Sequence, residues 1–170
     1  MPTRLDSMLS HGMGKVKAVK ARLTGLVGVF RTLAEQHGEV TMLLERAKAS
    51  DEKFAALWPM IKRQLISHER AEVRELFPVI RAYPQTKDFA DQHDHEAGQL
   101  ERMIEQIDEL GMGTPERAQL YQQLIDLVVR HADEEETTIF PKAQEAMGKS
   151  RAEALLHAFL ATQEQIASQV

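Results

Sequence analysis

The chain has 170 residues, 43% hydrophobic and 5% aromatic, with a formal net charge of −5 and no cysteine. That length favours one domain with a sizeable core, and the acidic balance argues against a nucleic-acid partner held by broad phosphate neutralisation. Disulfides, thiolate metal sites, iron–sulfur clusters and cysteine nucleophiles are excluded. No apolar run approaches the ~18 residues that span a bilayer, and the N-terminus carries no signal-peptide pattern. A cytoplasmic protein with no membrane partner is expected. Abundant Leu, Ala, Glu and Gln with little Gly or aromatic content predicts an all-α fold.

Residues 1–15 mix Gly, Ser and Pro and are expected to form an irregular arm carrying an exposed His11. The basic segment Lys15 to Arg22 is expected to be a solvated face. From about Val16 to Ala49 the pattern is helical, with Leu23, Leu26, Phe30, Leu33, His37, Val40 and Leu44 at three- and four-residue steps. Gly25 and Gly28 are expected to weaken or bend this helix. Ser50 is the expected N-cap of a second helix ending near Ala82, with possible kinks or stops at Pro59 and Pro78. The third helix covers about Lys87 to Leu110. Thr114 followed by Pro115 opens the fourth, which runs to about Met147. Gly148 ends it, and Ser150 with Glu153 forms the capping box expected for a fifth, shorter helix.

Short links predict an up-down-up-down four-helix bundle over residues 16–148, with residues 149–170 as an additional C-terminal helix. A weak internal repeat runs through it. His68-x-x-x-Glu72 is followed by Phe77-Pro78, and His131-x-x-x-Glu135 by Phe140-Pro141, at the same offsets.

A helix turns about 100° per residue, so each His–Glu pair lies on one face, on the apolar stripe of its helix. His37 sits in the stripe of the first helix, and His93 shares a face with Leu100, Ile104 and Ile107 of the third. His95 points to water. Four imidazoles and two carboxylates aimed at one core cost several kcal/mol each unless something pairs with them. A cation offsets that cost. Imidazole and carboxylate without thiolate suit iron, manganese or zinc, and a bridging Glu suits two ions. The candidate metal ligands are therefore His37, His68, Glu72, His93, His131 and Glu135. Glu96 is a candidate extra ligand or a partner of one. Glu69, Glu75, Glu134 and Glu136 are expected to be solvated or to sit behind the ligands, with Glu75 the nearest of them to an inward face. Methionines 42, 60, 103, 112 and 147 are expected to fill the core, and Tyr83 and Tyr121 are within conceivable reach of the site.

With these residues the chain resembles the hemerythrin-like (HHE cation-binding) family over about residues 30–147. The resemblance implies a four-helix bundle holding two iron ions joined by an oxo or hydroxo bridge, with Zn or Mn as possible substitutes. Glu72 and Glu135 would bridge, and His37, His68, His93 and His131 would be terminal ligands. The oxygen-carrying members have a histidine where this chain has Ala97 and an aspartate where it has Glu136. The set of four His and two Glu is more similar to the iron–sulfur-repair and nitric-oxide-related members. It implies reaction with O2, hydrogen peroxide or nitric oxide in a stress response, with an O2 or iron store and a metal-dependent sensor as the alternatives.

Overall fold

The computed structural model describes residues 25–170, and these are helical with no strand among them. The N-terminal arm, His11 and the basic segment lie outside the described residues. The helices are α1 (Gly28–Ala47), α2 (Asp51–Ala71), α3 (Phe77–Ile80), α4 (Lys87–Glu109), α5 (Pro115–Glu134), α6 (Phe140–Met147) and α7 (Lys149–Ala167). None is long and apolar enough to cross a membrane.

The first helix does not run through Gly25 and Gly28 as a bent continuation. Both glycines have positive φ, 80° and 55°, and α1 starts at the second. A Cβ on Gly28 would strike the backbone of Ala152 and Glu153, so the start of α1 lies flush against α7. Gln144 fixes the entry: its Oε1 accepts from the Val27 N–H at 2.9 Å and its Nε2 donates to the Gly25 carbonyl at 2.8 Å.

Ser50 caps α2 by accepting from the Lys53 N–H at 3.2 Å, and Thr114 caps α5 by accepting from that of Arg117 at 3.3 Å. Both were expected. The Ser150 capping box is not formed. Gly148, at φ +84°, already turns the chain, so α7 begins at Lys149 and Ser150 falls inside its first turn with no side-chain cap. Pro59 does not stop α2. It sits on the exposed side, where losing one N–H strands no buried carbonyl.

Between α2 and α3, and again between α5 and α6, the helix widens into a five-residue π turn, Glu72–Leu76 and Glu135–Ile139. In each, a Phe N–H donates five residues back, Phe77 to the Glu72 carbonyl and Phe140 to that of Glu135. The next residue is proline, which has no N–H to continue the ladder. The repeated Phe-Pro frame is thus the sequence trace of two π turns, each opening at the glutamate of a His–Glu pair. Such bulges inside helices are frequent at functional sites.

Two apolar clusters fill the interior. One joins Val40–Ala47 of α1 with Phe54–Leu65 of α2, Leu100–Ile107 of α4 and Tyr121–Val128 of α5. The other joins Leu26–Ala34 with Ala71–Ile80, Ala90, Ile139–Ala143 and the α7 residues Ala152, Phe159 and Ile166. Each of His37, His68, His93 and His131 falls in sequence between the two clusters on its own helix. The polar groups therefore share one level, a waist between two dry cores. Met103 is buried and Met60 packs on the first cluster, whereas Met112 is 52% exposed in the loop before α5 rather than core filler.

Candidate metal centre

At the waist His37, His68, Glu72, His93, His131 and Glu135 converge, all buried or nearly so. They fall into two groups. Glu69, Glu72, His93 and His131 each offer one donor atom, all within 4.8 Å of one another; His37, His68 and Glu135 do the same. The glutamates of the two His–Glu pairs lie between the groups. Glu135 Oε2 is 3.2 Å from His37 Nε2, while its Oε1 is 3.3 Å from His131 Nε2 and 3.8 Å from His93 Nδ1. Glu72 Oε2 is 3.4 Å from His68 Nε2 and 3.9 Å from His93 Nε2.

Glu69 corrects the sequence reading. It is buried, not solvated, with Oε1 3.4 Å from His131 Nε2 and Oε2 3.3 Å from His93 Nε2. On a helical wheel it stands about 100° from His68, off the centre of the stripe. It still points inward because α4 and α5 bring His93 and His131 to that flank of α2. The three-residue step from Glu69 to Glu72 was the available signal.

Three imidazoles are held from behind. His37 Nδ1–H donates to Glu136 Oε1 at 3.0 Å, His68 Nδ1–H to Gln36 Oε1 at 2.8 Å, and His131 Nδ1–H to Glu96 Oε2 at 3.3 Å. Each bond places a proton on Nδ1 and turns Nε2 into the waist, the arrangement found behind metal-bound histidines. Glu96 therefore serves as an acceptor for His131 and belongs to neither donor group. Gln36 is itself locked by Gln163 of α7: its Nε2 donates to Gln163 Oε1 at 2.8 Å and its Oε1 accepts from Gln163 Nε2 at 2.9 Å. The fourth imidazole is set by stacking. Phe77 lies on His93 at 3.6 Å between centroids and 9° between planes. Phe140 lies on His37 at 6.0 Å and 15°, its counterpart in the repeat. Tyr121 is remote, donating to the Leu44 carbonyl at 2.9 Å, and Glu75 accepts from Thr162 at 2.6 Å. Glu75 belongs to neither donor group. His95 is exposed, as expected.

The electrostatics describe a strained polar island. Burial, with Glu135 and Glu69 close by, pushes the Glu72 carboxyl well above its ordinary range. Burial also penalises Glu69, but the charge of His131 and the contact with His93 outweigh it and hold that carboxyl at about 2. Glu135 is lowered in the same way: its burial is outweighed by His131 and His37. For His37, burial is outweighed by Glu135 and Glu136, so its pKa is raised. His131 rises to about 10, its burial outweighed by Glu135, Glu69 and Glu96. His68 falls to about 3, through burial and the neighbouring His37.

Both Glu72 oxygens, both Glu135 oxygens, both His93 nitrogens, Glu69 Oε2 and His131 Nε2 are buried and make no hydrogen bond. Orphaned buried polar atoms on this scale are costly. They belong to imidazoles and carboxylates of the kind that bind iron, manganese or zinc, and cations between them would satisfy the carboxylate oxygens and one nitrogen of each imidazole. The residues fit a pair of metal ions.

Comparison with known proteins agrees. The hemerythrin HHE cation binding domain model matches residues 28–143. The chain is also 26% identical, over 132 residues, to a DNA nickase of Nostoc sp. (strain PCC 7120), a match covering 76% of this chain and 37% of that protein. The chain thus spans little more than a third of the length of the curated relative it matches. No solved structure matches it. By the extent of the family match and the His–Glu frame that carries it, the chain belongs to the hemerythrin HHE cation binding domain family.

Proposed function

We propose that this is a non-haem di-iron protein, with one ion held by Glu69, Glu72, His93 and His131 and the other by His37, His68 and Glu135. Glu72 and Glu135 would serve both ions. The observation that carries the reading is the set of buried donor atoms without hydrogen-bond partners, converging from both His–Glu pairs. When bound, the metals supply redox and Lewis-acid chemistry toward O2, hydrogen peroxide or nitric oxide. The chain supplies the rest. Glu136, Gln36 and Glu96 orient the imidazoles, the apolar clusters above and below exclude bulk water, and the stacked Phe77 and Phe140 keep the rings from turning. We assign this work to the cytoplasm, in an oxidative or nitrosative stress response.

The frame we propose is an up-down-up-down four-helix bundle built from α1 to α6, with α7 docked beside it. Alternation supports it. The order in which successive long helices visit the two apolar clusters reverses each time, from α1 through α2–α3 and α4 to α5–α6.

Elemental analysis of untagged protein from iron-replete cells tests the metal reading, with an absorption spectrum of the same sample. About two irons per chain with near-ultraviolet charge-transfer bands supports it. Metal that stays substoichiometric after reconstitution refutes it. The 132-residue similarity to a DNA nickase favours a second reading, metal-dependent nicking of DNA. Relaxation of supercoiled plasmid by the loaded protein, absent after chelation, would support that one.

A further inference from the structure

Beside the metal cluster, between α1, α2 and α7, lies a cavity of about 440 Å³. Resting on the metal reading above, we propose that it is a binding site for an uncharged aliphatic molecule, such as an alcohol or an alkyl hydroperoxide.

Size is the first argument. A water takes about 30 Å³, so a diatomic gas or hydrogen peroxide would leave most of this volume empty. The cavity is within the range of about 300–1,000 Å³ typical of sites for organic ligands. Its inner end is formed by His37, His68 and His131, so a molecule seated there meets the cluster directly.

The walls give the chemical class. Val40, Leu65, Val128 and Leu160 are aliphatic, and no Phe, Tyr or Trp is among the described lining residues. Leu160 is left 42% exposed, an apolar surface that an alkyl chain would cover. Among the charged lining residues Arg63 stands against Glu39, Glu69 and Glu164, an acidic excess that disfavours an anionic head group.

Isothermal titration calorimetry with 1-octanol, octyl hydroperoxide and octanoate, on metal-free and iron-loaded protein, tests this. Saturable binding of octanol or the hydroperoxide, tighter than that of octanoate, is expected. Equal affinity for the first two means that the uncharged chain alone is recognised, and preference for the hydroperoxide identifies that source. Leu160→Trp, on an exposed face where the fold tolerates it, should fill the cavity and weaken binding roughly tenfold or more. No saturable binding, octanoate binding as tightly as octanol, or an unaffected Leu160→Trp variant would overturn the proposal. Metal content is measured on every sample. Full metal with no octanol binding sinks this site alone, and octanol binding by protein that stays metal-poor after reconstitution sinks only the metal reading.

Discussion

Glu69→Gln is the sharpest perturbation of the centre. Gln keeps the size and one oxygen but removes the charge, and it touches one donor group only. In the metal-free protein the carboxylate is held at about 2 against its usual 4.5 by His131 and His93, worth about 3 kcal/mol of native-state pairing. Part of that loss is offset, because the variant also relieves the repulsion that raises Glu72. The metal-free variant should therefore lose roughly 1–3 kcal/mol of stability, measured by urea unfolding with the single Trp58 as fluorophore. In the loaded protein, the group of Glu69, Glu72, His93 and His131 loses a charged donor while that of His37, His68 and Glu135 stays complete. Metal content after exhaustive dialysis should fall from about two ions per chain to about one. Glu96→Gln is the control. Glu96 acts only through His131 Nδ1, so its loss should weaken affinity by ~10–100-fold and leave the stoichiometry unchanged. If Glu69→Gln retained two ions with an affinity like that of Glu96→Gln, the assignment of Glu69 as a ligand would be wrong.

Further outcomes follow from the same geometry. Gln163→Ala frees the Gln36 amide that fixes His68, and should weaken metal binding toward the lower end of that ~10–100-fold range, followed by chelator competition. Loading should release protons from Glu72, His37 and His131, whose pKa values are raised, so affinity should climb with pH in a weakly buffered titration. The metal-free protein should be most stable between about pH 4.5 and 6.5, where the opposite slopes of His68 and the raised Glu72 offset each other, and should lose stability on either side. As pH falls, His68, held neutral down to about 3, loses its contribution between 6.5 and 3, and Glu69 loses its own between 4.5 and about 2. As pH rises, the pairing of protonated His131 is lost between 6.5 and about 10. Urea midpoints that rise steadily from pH 3 to 10 would contradict this. Phe159→Ala, deleting a buried ring that meets His68 edge-on, should cost about 3–5 kcal/mol.

The helices and the four inward histidines were legible because periodicity reports which residues share a face. His37 could be placed by Phe30, Leu33 and Val40 around it, and Thr114 and Ser50 announced their caps through local chemistry. Glu69 was not legible, since its burial depends on which neighbours flank α2 rather than on its own stripe. Glu136 was named as a residue that could sit behind the ligands, but Gln36 and Gln163 were hidden: a polar residue beside a stripe looks solvated until another helix covers it. The π turns left a trace in the Phe-Pro repeat, but proline alone does not distinguish a stop, a kink and a widened turn. At Gly28 only the approach of Ala152 reveals why no side chain fits.

That approach bears on modularity. The family match ends at residue 143, yet the backbone of α7 rests against the first residue of α1, and Ala152, Phe159 and Ile166 complete one of the two apolar clusters. A transplant cut at the family boundary would expose that cluster and release Gln36 from its amide partner. The transferable unit of this fold is therefore longer than the segment by which it is recognised, and a fusion or domain graft must carry α7 with it.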